Sequence, residues 1–203
     1  MTEARDRLSR LRTKLVTRIV AGIGGFAAVA LSLGMTLYDV RTKPPPQVVA
    51  GQPVEAGQWT IEINGLEAGT TLPDERRAAT GRGAVILTAK LTNRTGASSS
   101  DYTQAIKLET AVQGIDDRPT TYLLRDKSYL RQLQPLLAER VAYVWTYPLA
   151  STLPPKLQFN LVSRKFKARD NLYAASGWFN PSVVGEIELP LIAGVTPASQ
   201  AVQ

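Results

Sequence analysis

Adjacent carboxylates at Asp116 and Asp117, with Asp126 and Asp170 standing alone, are the first residues that could do chemistry. Two-carboxylate hydrolysis needs acids opposed across a cleft. Neighbours on a strand or turn point apart, so Asp116-Asp117-Arg118-Pro119 reads as turn chemistry. A calcium site gathers several oxygen ligands in one loop, and this pair offers only two. Ser98, Ser99 and Ser100 have no histidine to activate them, because the chain contains none. Thr80-Gly81-Arg82-Gly83 lacks the lysine and the spacing of a phosphate loop. Cysteine is also absent, which removes disulfides, thiolate catalysis and cysteine-ligated metals. The expectation is a protein that is not an enzyme and carries no metal or cofactor.

Binding chemistry is better represented. Arg164, Lys165, Lys167 and Arg169 form a dense basic run around Phe166. Such a run suits an anionic glycan, a lipid headgroup or an acidic partner, or it is a solvated hairpin end. Tyr173 to Phe179, YAASGWF, follows closely. If exposed, Trp178 and Phe179 would anchor a contact. Two large aromatics are expected instead to be buried, capping the domain. The candidate contact surface is Arg164, Lys165, Lys167, Arg169, Trp178 and Phe179.

These residues must be positioned by strands. Gly83 to Asn93, GAVILTAKLTN, puts Val85, Leu87, Ala89 and Leu91 on one face. Gln58 to Leu66 alternates Trp59, Ile61 and Ile63 with polar neighbours. Ala105 to Val112, Thr120 to Leu124, Glu139 to Tyr147, Lys156 to Val162 and Val183 to Leu191 repeat the pattern, which makes seven strands separated by turn signals. Residues 67–82 lack periodicity and read as a long exposed loop. Tyr129 to Leu137 reads as a helical turn or an irregular crossover, and Asp170 to Pro181 as a loop. The fold class expected is all-β, a sandwich of two sheets over residues 57–193.

Before this domain lies Ile19 to Tyr38, IVAGIGGFAAVALSLGMTLY, twenty residues without a charge. A helix of that length spans about 30 Å, the hydrocarbon thickness of a bilayer. Residues 19–40 therefore read as a transmembrane α-helix, retained because the run is long for a signal peptide and no clear cleavage site follows. Ala21 with Gly25, and Ala30 with Gly34, are small-residue pairs that could admit a second helix. Residues 1–18 hold six basic side chains against two acidic ones. This places the tail in the cytoplasm and the domain outside. The remaining residues are nearly balanced, eighteen basic against fifteen acidic, so the net charge of +7 does not imply nucleic acid. Residues 41–56, with Pro44, Pro45 and Pro46, read as a semi-rigid linker, and 194–203 as a disordered tail.

The pattern resembles the telokin-like, immunoglobulin-fold domains found behind an N-terminal anchor in bacterial envelope proteins. The matching residues are the strand around Trp59, the strand ending in Leu91-Thr92-Asn93-Arg94-Thr95, the proline at Gln134-Pro135 before Val141 to Pro148, and Val183 to Leu191. The chain departs from the family at Leu136, where a glycine is usual, and in a longer segment between Asp126 and Glu139. The resemblance implies an Ig-like β-sandwich that makes protein contacts. Together these readings predict a single-pass protein of the bacterial plasma membrane with a periplasmic binding or assembly module. Its partner would be another envelope or membrane protein, such as a transport complex it serves as accessory subunit, with envelope glycan or anionic lipid as the alternative ligand.

Overall fold

The computed structural model describes residues 44–170 and 174–193. The predicted tail 1–18, the span 19–40 and the terminal tail 194–203 lie outside the described residues. Among the described residues no helix is long and apolar enough to cross a membrane. They form an all-β sandwich of two sheets. The larger takes strands β1 (Pro53–Ala56), β2 (Trp59–Gly69), β3 (Arg82–Asn93), β5 (Thr120–Leu123), β6 (Ser128–Tyr129) and β7 (Ala138–Pro148) in the order β1-β2-β3-β7-β5-β6, with β10 (Ile192–Ala193) parallel to β2. The smaller holds β4 (Ile106–Leu108), β8 (Lys156–Lys167) and β9 (Gly177–Pro190) in the order β4-β8-β9.

The core sits where the alternation predicts. Val85, Leu87, Ala89 and Leu91 of β3 and Val141, Tyr143, Trp145 and Tyr147 of β7 face Leu157, Phe159 and Leu161 of β8. A bulge in β2 between Ile63 and Gly65 shifts the alternation so that Leu66 is buried with Trp59, Ile61 and Ile63. Trp145 packs on Phe159 with ring centroids 5.6 Å apart, joining the sheets. The buried Tyr143 hydroxyl donates to the Tyr102 carbonyl at 2.7 Å, which satisfies the one polar atom it brings into the core.

Several boundaries differ from expectation. Residues 53–56, read as linker, form β1, and the chain is docked even earlier, since the Pro46 carbonyl accepts the Glu186 amide at 2.9 Å. The segment 67–82 is an exposed loop only in part. Glu67–Gly69 completes β2, and Leu72 packs on a second apolar cluster of Ala84, Ile86, Tyr122, Ala142 and Val144 on the outer face of the larger sheet. Asp74 ties this segment through Arg76 at 2.5 Å, and Arg76 donates to the Tyr129 hydroxyl at 2.6 Å. Burial alone would push the Asp74 carboxyl up. Hydrogen bonds from the Arg76 side chain and backbone, with its charge, outweigh that and hold it below the usual range. Strand β4 ends at Leu108, and just beyond it the Glu109 amide donates to the Gln158 carbonyl at 2.9 Å while the Thr110 hydroxyl accepts the Gln158 amide at 2.7 Å.

Candidate functional site

Both β8 and β9 run further than the apolar pattern suggests. Strand β8 continues through the basic run to Lys167, and β9 begins at Gly177, so Trp178 and Phe179 belong to a strand and not to a loop. The register pairs Lys165 with Phe179, Phe166 with Trp178 and Lys167 with Gly177. The predicted basic run and the predicted aromatics are thus one structure, the distal half of a hairpin. Strand β4 pairs with β8 only as far as Leu161, so this distal half has no ladder partner beyond its own two strands among the described residues.

A bulge at the base of this arm decides which way its side chains point. The register shifts between Ser163–Ser182 and Lys165–Phe179, which leaves Arg164 unpaired on β8 and both Asn180 and Pro181 unpaired on β9, so the extra residue lies on β9. The Arg164 guanidinium hydrogen-bonds Gln104. Its carbonyl lies against Gly57, where an added Cβ would stand 2.4 Å from that oxygen. Gly57 also has φ of +66°, so the turn between β1 and β2 requires glycine twice over. Arg164 is therefore a joint between arm and sandwich, and the three later cations are the ones presented outward.

Beyond the bulge, alternation sorts the arm by chemistry. Phe166 and Trp178 share one face, with ring centroids 5.4 Å apart and planes tilted by 59°. Lys165, Lys167 and Phe179 share the other, and the Lys167 ammonium sits 5.6 Å over the Phe179 ring. Lys167 also reaches the Asp170 carboxylate at 3.4 Å, and Arg169 is exposed. The expected burial of Trp178 and Phe179 is corrected to half-burial. Phe166 is 58 % exposed.

The aromatic face looks onto a groove of about 660 Å³ lined also by Gly57, Gln58 and the turn from Arg94 to Ala97. Asn93 builds that turn. Fully buried, its side-chain amide donates to the Ala97 carbonyl at 2.7 Å and the Leu133 carbonyl at 3.1 Å, while its oxygen accepts the Thr95 hydroxyl at 2.7 Å. The Arg94 amide donates to the Gln58 carbonyl at 2.8 Å, which joins wall to floor. Arg94 pairs with Glu55 at 2.8 Å. Gly57, Gly96 and Ala97 place no large side chain in the groove. Phe166 and Arg94 were missed as site residues from the sequence. The signal for Phe166 was its even spacing across a hairpin from Trp178, legible only with the register known.

The other sequence candidates are structural. Asp116 accepts from Arg82 at 2.7 Å and from the Thr146 hydroxyl at 2.7 Å, pinning the segment before β5 to β7. Asp126 pairs with Arg125, and Ser98 donates to Gln134. Among the described residues no cluster of three or more acidic side chains could hold a metal.

No protein-family model matches the chain, and no curated protein matches it. A solved structure from Clostridium difficile 630, an uncharacterized β-sandwich protein, is similar over 72 % of this chain and 95 % of that one, at 12 % identity and a TM-score of 0.45.

Proposed function

We propose that this chain is a binding and assembly module of a bacterial envelope. In this reading residues 19–40 anchor it in the plasma membrane, with the tail 1–18 in the cytoplasm and the sandwich outside. It serves a larger membrane or envelope complex as an accessory subunit, and has no catalytic role. The observation that carries the reading is the groove. A 58 %-exposed Phe166 beside Trp178 faces a wall of Arg94, Thr95, Gly96 and Ala97, an arrangement that holds an aromatic or aliphatic side chain of a partner protein. Isolated surface leucines are ordinary, but paired aromatics over an open groove leave apolar area that a partner would cover.

The finer assignment to a telokin-like, Ig-fold family has one supporting detail. The chain departs from that family at Leu136, where a glycine is usual, yet the φ there is +58°, the left-handed region that glycine adopts without strain. Its amide donates to the Asn93 carbonyl at 2.7 Å, so the turn is held by the same residue that shapes the groove.

The test is a photo-crosslink. Benzoylphenylalanine at position 166 of the full chain, irradiated in cells, is expected to yield one discrete adduct with an envelope or membrane protein. The same group at position 188, on an exposed residue at the far end of β9, is expected to yield none. Equal adducts at both positions, or none at 166, would remove the groove as a docking site.

A further inference from the structure

The face of the arm opposite the groove has its own chemistry. On it Lys165 is exposed and Lys167 partly so, Phe179 lies beneath Lys167 as an apolar base, and the exposed Arg169 follows in the bend just after β8. Asp170 is the one carboxylate within this run, and it is buried and engaged by Lys167. Arg164 keeps its charge, but its guanidinium is held at Gln104 and is only partly exposed, so it lies outside this strip. The result is a strip of cations on a free-standing hairpin, with no role in the sandwich ladder beyond β9.

We infer that Lys165, Lys167 and Arg169 rest on the anionic headgroups of the bilayer that anchors the chain, leaving Phe166 and Trp178 turned to the protein groove. The inference relies on the proposed membrane anchor. Cations gain from the negative potential of a lipid surface, and the stems of lysine and arginine reach into the interface while their charge stays wet. Alternation along β8 makes the two uses compatible, since a strand presents successive residues to opposite sides. Chain length favours the contact as well. The predicted span ends at residue 40 and Pro46 is already docked on β9, so few residues remain as a tether and headgroups stay at high effective concentration.

The absence of cysteine supplies the experiment. A single thiol introduced as Ala168→Cys, at an exposed position between Lys167 and Arg169, carries a fluorophore on the full chain reconstituted in nanodiscs. Ala150→Cys, exposed before the opposite end of β8, is the control. In discs containing phosphatidylglycerol and a headgroup nitroxide, the probe at 168 is expected to be quenched severalfold more than the probe at 150. High salt and discs of phosphatidylcholine alone should both abolish that difference. The double variant Lys165→Glu/Arg169→Glu alters two exposed side chains without touching the Lys167–Asp170 pair, and should abolish it too. Equal quenching at 168 in neutral and anionic discs, or quenching unmoved by charge reversal, overturns the inference while leaving anchor and groove intact. A chain that does not co-elute with discs overturns the anchor, and this inference with it. Loss of the crosslink at 166 with lipid quenching preserved would sink only the groove.

Discussion

The two halves of the β8–β9 hairpin are built from the same two strands and do opposite things. In the proximal half, Leu157 pairs with Leu189, Phe159 with Ile187 and Leu161 with Gly185, and the five apolar side chains are buried between the sheets. In the distal half, Phe166 pairs with Trp178 by the same ladder, and the aromatic side chains remain partly in water. Ladder pairing alone therefore does not make a core. What differs is the second sheet. The proximal half has β3 and β7 facing it, whereas the distal half faces the β1–β2 turn and the turn from Arg94 to Ala97 across an open groove. A hydrophobic residue without an opposing layer is stabilised by little and is available for a partner.

The widest way to test that contrast is pH. Burial raises the phenols of Tyr102, Tyr143 and Tyr147 in the main core and, with help from Tyr129, that of Tyr122 in the outer cluster. Each folded value lies above the unfolded value of about 10. Protonated tyrosine is therefore the form the fold favours. The stability it contributes is complete below about pH 10 and is lost as pH rises through the raised values. Tyrosinate absorbance should lag behind the base titration and then appear together with loss of the strand circular dichroism signal. Full ionisation near pH 10 with the sheet intact would show that these phenols are not sealed in.

Point changes come next. Phe159→Ala removes a fully buried ring against Trp145 and should destabilise the domain by about 3–5 kcal/mol in urea denaturation. A loss under about 1 kcal/mol would mean that the two sheets are not packed as described. Gly57→Ala lies at the joint between the halves. Its left-handed φ and the Arg164 carbonyl 2.4 Å from the new Cβ predict a loss of about 1–3 kcal/mol. The arm should shift with it, so the crosslink from position 166 should fall even where the domain still folds.

The sequence made the proximal half legible and the distal half not, for one reason. Alternation of apolar and polar residues marks a strand with a dry face and a wet face, and Lys156 to Val162 has both. After Val162 the chain turns basic, and a strand with cations on one face and a partly wet aromatic on the other has no such signature. Strand β1 was hidden by its length, since its four residues PVEA do alternate, with Ala56 buried and Val54 packed on the core, but they are too few to mark a strand beside a proline-rich stretch. The segment 67–82 was obscured differently, because its docking depends on Leu72 and on Arg76 reaching Tyr129, residues far apart in sequence. The basic run and the aromatics were both visible as candidates. Their relative placement depends on the register shift opposite Arg164, whose signal lies on the other strand, where Asn180 is left-handed and Pro181 has no amide hydrogen to give the ladder.

Leu136 probes a smaller conflict of the same kind, a local rule broken at the surface. It is 76 % exposed and left-handed, so neither packing nor backbone preference explains a leucine there. Leu136→Gly should raise stability by about 1 kcal/mol, read as a higher urea midpoint at unchanged slope. A decrease would show that the side chain makes a contact worth more than the strain.

The smallest effect on folding should come from Phe166→Ala, and it separates the two halves most sharply. The residue is largely exposed, so the stability change should stay near about 0.5 kcal/mol, against several for Phe159→Ala one hairpin segment away. Binding should move the other way. With the crosslinker placed at position 96, where an added side chain meets open space, the variant should capture its partner at least about tenfold less well. A tenfold loss of capture with an unchanged unfolding midpoint can arise only if Phe166 acts on the partner and not on the fold. Unchanged capture would mean that its exposure is incidental, and that the distal half is ordered by its ladder alone and carries nothing into the groove.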